Sequence, residues 1–201
     1  VPKSPLLPVP DHVRLHYNDV VLCVDYFYVN KHPFFHTISR DIKLRTAQSL
    51  SVTPTATISK AAIYEVIKIY QGRGFRVTEV HGDNEFECLR NELLPNCTHI
   101  AAAGAKVPEV ERSIRTVRDR VRCITSDFPF RRITKEMCFG TVREAVRSLN
   151  ALPLKKGVSR LVSPVGIVCG YPPVDASKLN IRSGLYAQIL EHGTTDTAHK
   201  S

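Results

Sequence analysis

The sequence has no tryptophan, and only 7% of its 201 residues are aromatic. That argues against a protein built mainly on stacking platforms for single-stranded nucleic acid. It holds no unbroken apolar run long enough for a membrane-spanning helix, so no membrane partner is expected. It has no CxxC pair. Its six cysteines stand at 23, 88, 97, 123, 138 and 169, mostly inside apolar runs such as Val21-Leu22-Cys23-Val24 and Ile167-Val168-Cys169. They are expected to be reduced core residues of an intracellular protein rather than a disulfide framework. The first residues, Val1-Pro2-Lys3-Ser4-Pro5, lack both the apolar segment of a signal peptide and an initiating Met, so a fragment or processed piece is expected. There is no internal repeat and no low-complexity tract.

What is present is enough apolar content for a core, 43% of the chain, and an uneven charge. The formal net charge is +9. Residues 106–160 hold 14 Lys and Arg against 6 Asp and Glu, and the rest of the chain is nearly neutral. Arg outnumbers Lys there by 10 to 4, which suits bidentate phosphate contacts. Clustered cations of this kind serve either as a solvated helical face or as a polyanion-binding surface.

Residues 1–18 contain Pro2, Pro5, Pro8 and Pro10 and read as an extended arm or linker. Residues 20–29 (VVLCVDYFYV) read as a buried central strand, and Asn30-Lys31-His32-Pro33 as a turn. Residues 34–40 and 44–52 complete a three-strand meander. Residues 57–71 change to helical period and end at Gly72 and Gly74. A fourth strand follows at 75–81, a short helix at 85–94 and a fifth strand at 98–103. Two further helices are expected at 107–123 and 134–152, then a loop-rich tail with a strand at 184–190.

Asp25 interrupts the central strand, and a buried carboxylate needs a partner or a cation. The bland reading is a satisfied core Asp. Asp83 weighs against it, because it directly follows a second apolar strand, where open α/β sheets gather ligands. The third acid lies on the helix after Pro108. Val107, Val110, Ile114, Val117 and Val121 form its apolar stripe, and Glu111, Arg115, Arg118 and Arg122 form a second stripe beside it. Glu111 at the border can look toward Asp25, or simply pair with Arg115 at i,i+4. Glu109 lies further round and is the weaker candidate. Three carboxylates suit hard Mg²⁺ ions, and two such ions suit an in-line phosphoryl displacement. The Arg stripe would then position a phosphate backbone.

These motifs resemble the catalytic core of retroviral-type integrases, and most closely the integrase region of copia-type retrotransposon polyproteins. The carrying residues are Val24-Asp25-Tyr26-Phe27 with Pro33-Phe34-Phe35, then Gly82-Asp83-Asn84-Glu85-Phe86, then Val110-Glu111-Arg112-Ser113-Ile114-Arg115-Thr116. Leu149-Asn150-Ala151-Leu152-Pro153 and Ser163-Pro164 near Gly170 are similar to the family's segment after the core. The likeness covers residues 19–170.

The resemblance implies an α/β, RNase H-like fold: a mixed five-stranded sheet, three strands in an antiparallel meander plus parallel strands, flanked by helices. It divides the chain into an arm (1–18), the catalytic core (19–153) and the start of a C-terminal region (154–201). It implies a D,D,E triad at Asp25, Asp83 and Glu111 holding two Mg²⁺ or Mn²⁺ ions, with Lys106, Arg112, Arg115, Arg118 and Arg122 on DNA. The implied activity is a polynucleotidyl transferase that trims the element's DNA ends and joins them to target DNA. Implied partners are both DNAs, further copies of the chain and the rest of a parent polyprotein. The implied location is the nucleus or the element's virus-like particle. Three departures stand out: only 27 residues separate Asp83 and Glu111, fewer than usual, Val107-Pro108 replaces a common Gly, and Ile114 a common Asn. His12-x3-His16 has no CxxC after it, so no zinc is expected. Two other readings remain: a catalytically silent nucleic-acid-binding relic, and an RNase H-like nuclease that only hydrolyses.

Overall fold

In the computed structural model the described residues are 6–50, 54–89, 98–100, 107–129, 132–155 and 157–173. The central strand forms as expected: β1, Asp19–Val29, pairs antiparallel with β2, His32–Ser39. The connection is a two-residue turn, Asn30 and Lys31, both at positive φ (48° and 66°), the left-handed pair that matches strand twist in tight hairpins. β2 pairs antiparallel with β3, Arg45–Ser49. Helix α2, Ala56–Gln71, is capped by Thr55, whose side chain accepts from the Ile58 amide at 3.4 Å. Gly74, at φ +82°, takes the chain through a turn into β4, Arg76–Gly82, which lies parallel to β1.

A 3₁₀ helix, Asn84–Leu89, stands where a short helix was expected. Of the fifth strand expected over 98–103, Thr98–Ile100 is described and forms β5, parallel to β4; 101–103 lie outside the described residues. Among the described residues the sheet order is β3-β2-β1-β4-β5. Helices α3, Pro108–Ser126, and α4, Lys135–Ala151, follow. Asn150 fastens α4 to the β3 backbone, accepting from Arg45 N at 2.9 Å and donating to Arg45 O at 2.7 Å.

The N-terminal stretch departs from the expected extended arm. It carries helix α1, Asp11–His16, directly after Pro10, with Val13 fully buried. Leu7 N donates to Gly170 O at 2.9 Å, which ties this stretch to α5, Pro164–Cys169, a helix inside the segment expected to be loop-rich. Of the cysteines, Cys23 and Cys138 are buried but Cys88 and Cys123 are exposed, so the expectation of core cysteines holds only in part. The strand expected at 184–190 lies outside the described residues.

The two faces of the sheet are covered by different helices, giving three layers. Val20, Leu22, Val24 and Phe35 pack with Ile63, Val66 and Ile67 of α2, with Val13 and with Ile167. Cys23, Phe27, Phe34 and Ile38 pack with Val110, Ile114, Val117 and Val121 of α3 and with Val142 and Val146 of α4. Because both faces are covered, β1 reads as an unbroken apolar run rather than an alternating one.

Candidate active site

Side chains alternate across a strand, so Asp25 shares a face with Cys23 and Phe27 and looks toward α3. Its cross-strand partner in β2 is His36. Asp25 is half-buried, and its Oδ1 accepts from the Tyr26 amide at 2.6 Å. Burial pushes its carboxyl up to about 6, against the lowering effect of that hydrogen bond. The negative charges of Asp83, Glu85 and Glu111 push it further in the same direction.

Asp83 arrives at the same level by register. β4 pairs Cys23 with His81, and two residues further along both strands come Asp25 and Asp83. Gly82 makes the turn possible: a Cβ there would lie 2.8 Å from the Phe86 ring. That ring stacks on Tyr26 with centroids 5.0 Å apart, so the residues beside the two acids pack on one another beneath the sheet. Asp83 also caps the 3₁₀ helix, with Oδ1 accepting from Glu85 N at 3.0 Å and its carbonyl from Phe86 N at 3.1 Å.

Glu111 is in the first turn of α3, where a carboxylate is favoured by the helix dipole. Asp25, Asp83 and Glu111 line a single cavity of about 670 Å³. Arg115, Arg118 and Arg122 line it too, as does Asp119, which pairs with Arg122 at 2.9 Å. Arg112 is exposed and is not among the lining residues. The helical wheel gives the reason: it falls roughly 200° round from Val110, whereas Glu111 and the other three arginines fall at about 80–140°. Lys106 lies outside the described residues. Glu109 is turned the other way and stands 3.2 Å from Arg40.

Two acids escaped assignment from sequence. The charge of Glu85, in the same short motif as Asp83, also bears on Asp25 and pushes its carboxyl up. Asp119 was hidden by its arginine neighbours, although its spacing from Arg115 and Arg122 places it on that side of the helix.

The donor chemistry fits a hard divalent cation. Burial raises Asp25 and three neighbouring carboxylates add to it, and a cation among them would relieve that repulsion. The side chains do not by themselves close around an ion: among the described residues no group of three His, Cys, Asp or Glu is gathered tightly enough to hold a metal.

No family model matches the chain, and no curated protein is similar to it in sequence. Solved structures are similar in fold. The catalytic core domain of BIV integrase is 21% identical with a TM-score of 0.51, over 74% of this chain and 93% of that one. The simian T-cell lymphotropic virus intasome, in complex with PP2A regulatory subunit B56 gamma, gives 16% identity and a TM-score of 0.55, over 88% of this chain and 61% of the matched chain. The HTLV-2 integrase catalytic core in complex with magnesium, in a trimeric form, gives 14% and 0.51, over 82% and 99%. The chain therefore has the RNase H-like α/β fold of retroviral integrase cores.

Proposed function

We propose that this chain is the catalytic core of a retroelement integrase, of the copia-type retrotransposon branch, which joins element DNA ends to target DNA by two-cation phosphoryl transfer. The observation that carries the reading is the shared cavity: three carboxylates from β1, the end of β4 and α3 face the same space as three arginines. The copia-type assignment rests on the sequence motifs around Asp25, Asp83 and Glu111.

Asp25, Asp83 and Glu111 would hold Mg²⁺ or Mn²⁺, which supply Lewis-acid stabilisation of charge on the attacking and leaving oxygens. Arg115, Arg118 and Arg122 engage the phosphate backbone and hold it along α3. In end trimming, a water oxygen bonds to phosphorus and the bond to the adjacent 3′ oxygen breaks, leaving a 3′-hydroxyl. In joining, that 3′-hydroxyl oxygen attacks a target phosphate, and a target 3′-hydroxyl leaves with a proton. In the ion-free chain burial holds the Asp25 carboxyl up at about 6, so protons compete with the cations there and cation binding is expected to weaken as pH falls through that value.

The fold is shared with a core solved in complex with magnesium in a trimeric form and with an intasome chain, which supports assembly with further copies on DNA. The rest of a parent polyprotein, and the nucleus or the element's particle, complete the proposed setting. A second reading, DNA binding without chemistry, draws on the same three arginines, Arg115, Arg118 and Arg122, which line the cavity independently of any ion.

The test is incubation of the folded chain with linear DNA and Mg²⁺ or Mn²⁺, followed by product analysis. Joined products that disappear in Asp25→Asn support the proposal. Cleavage without joining points to a hydrolytic nuclease, and salt-sensitive binding without products points to the silent binder.

A further inference from the structure

Helix α3 lies on the sheet through Val110, Ile114, Val117 and Val121, all small aliphatic side chains. Such contacts choose which face of the helix docks, but, not being directional, they hold its fine rotation and its register on the strands only loosely. Yet Glu111 must face Asp25, and the arginines must face the cavity. Something directional has to hold the opposite flank of the helix.

That flank carries Glu109 and Ser113, one turn apart. Both meet β2 at residues four apart on the same strand, Arg40 standing just beyond its end. Glu109 Oε1 stands 3.2 Å from Arg40 Nε. Ser113 Oγ shares a 2.8 Å hydrogen bond with His36 Nε2 and accepts a second from Arg45 Nε at 3.2 Å. His36 is fully buried and Ser113 is 3% exposed, so this hub sits inside the apolar layer between the sheet and α3. His36 is also the residue paired directly across from Asp25, and Ser113 follows Glu111 by two. The hub thus links the neighbour of one proposed cation ligand to the neighbour of another. β2 lies on the side of β1 away from β4, so a helix tethered along β2 turns its other flank toward Asp83.

The geometry points to Ser113, His36 and Arg45 as positioning residues: their buried hub fixes the rotation and register of α3, and so aims Glu111 into the Asp25–Asp83 cavity. This inference rests on the cation site proposed above, but the hub itself can be tested without ions. The charges facing it are those of Arg45 and, along β2, the Arg40–Glu109 pair, with His81 Nδ1 3.4 Å from Arg40 Nη2.

Two measurements on the full chain decide it. The first is the orientation of α3 amide vectors relative to those of β1 and β2, by residual dipolar couplings in ion-free buffer. Ser113→Ala is expected to reorient α3, and His36→Gln, which can still hydrogen-bond Ser113, to leave it in place. Unchanged couplings in a folded Ser113→Ala protein overturn the inference. The second is the rise in melting temperature caused by Mn²⁺ at neutral pH. Ser113→Ala is expected to lose most of that rise, as Glu111→Gln does, while His36→Gln keeps it. A Ser113→Ala protein with a lower melting temperature but the full Mn²⁺ increment would show a purely structural role and sink the proposal. If the unaltered chain shows no Mn²⁺ increment, the cation site fails, and the inference as stated, an aim for Glu111 as ligand, falls with it. The couplings then still tell whether the hub orients the helix.

Discussion

On the α2 side of the sheet, Val20, Leu22, Val24 and Phe35 close against Ile63, Val66 and Ile67, and the buried polar groups there are hydroxyls such as Ser39 and Ser59. On the α3 side, the intervening residues of the same strands interleave Cys23, Phe27, Phe34 and Ile38 with Asp25 and His36. One β-strand therefore serves a closed core on one face and an ionisable site on the other, because its side chains alternate. The α2 face gains stability from burial. The α3 face gives some of it up: Asp25 and His36 are both held in half- or fully buried positions that oppose their charged forms.

The two faces part most clearly when a side chain is altered on each in turn. Ile63→Ala, at a fully buried position of α2, is expected to cost about 3 kcal/mol of unfolding free energy in a denaturant titration. Asp25→Asn should do the opposite. At pH 7.5 without divalent ions it should raise stability by about 1–2 kcal/mol, after allowing for solvent screening at a half-buried site.

The pH dependence separates the two groups on the α3 face. Asp25 has a folded value of about 6 against an ordinary 3.8, so its contribution is fully present below 3.8 and is lost as pH rises through 6. Burial, with Arg45 nearby, holds His36 down to about 3 against 6.5, so its contribution is present above 6.5 and is lost as pH falls toward 3. Between these limits the two slopes oppose one another. Asp25→Asn is expected to leave stability falling steadily toward acid, and His36→Gln to leave it falling as pH rises from 4 to 6. Melting temperatures across that range in chelator-treated buffer check both signs.

The smallest effect expected is on the arginines. Arg118→Ala or Arg122→Ala should lower the slope of log affinity for duplex DNA against log salt by about one each, and Arg112→Ala should leave it near the original value. Equal losses at all three positions would mean that charge on the helix matters and its facing does not.

The parts of this design that repeat along the chain were legible in its residues. The apolar run of β1 and the 3-4 spacing of Val110, Ile114, Val117 and Val121 gave the strand and the helix, and with them three acids that line one cavity. What sequence concealed depends on contacts between distant segments. Ser113 in a charged helix reads as a surface residue until His36 and Arg45, 77 and 68 positions away, are seen to meet it. The proline-rich start reads as extended, yet Val13 finds a fully buried place beside α2 and α5, and packing outweighs composition. Arg112 joins its neighbours only in what the resemblance implies; the 100° step of a helix already leaves it off the stripe of Arg115, Arg118 and Arg122.

The proposed mechanism stands on a divalent-cation site that Asp25, Asp83 and Glu111 form together on the α3 face. Calorimetric titration of Mn²⁺ into the chain at pH 7.5, alongside Asp25→Asn, tests it most directly. Saturable binding in the parent chain that vanishes in the folded variant is the result expected. Indistinguishable heats from the two proteins, or no binding in either, would contradict it.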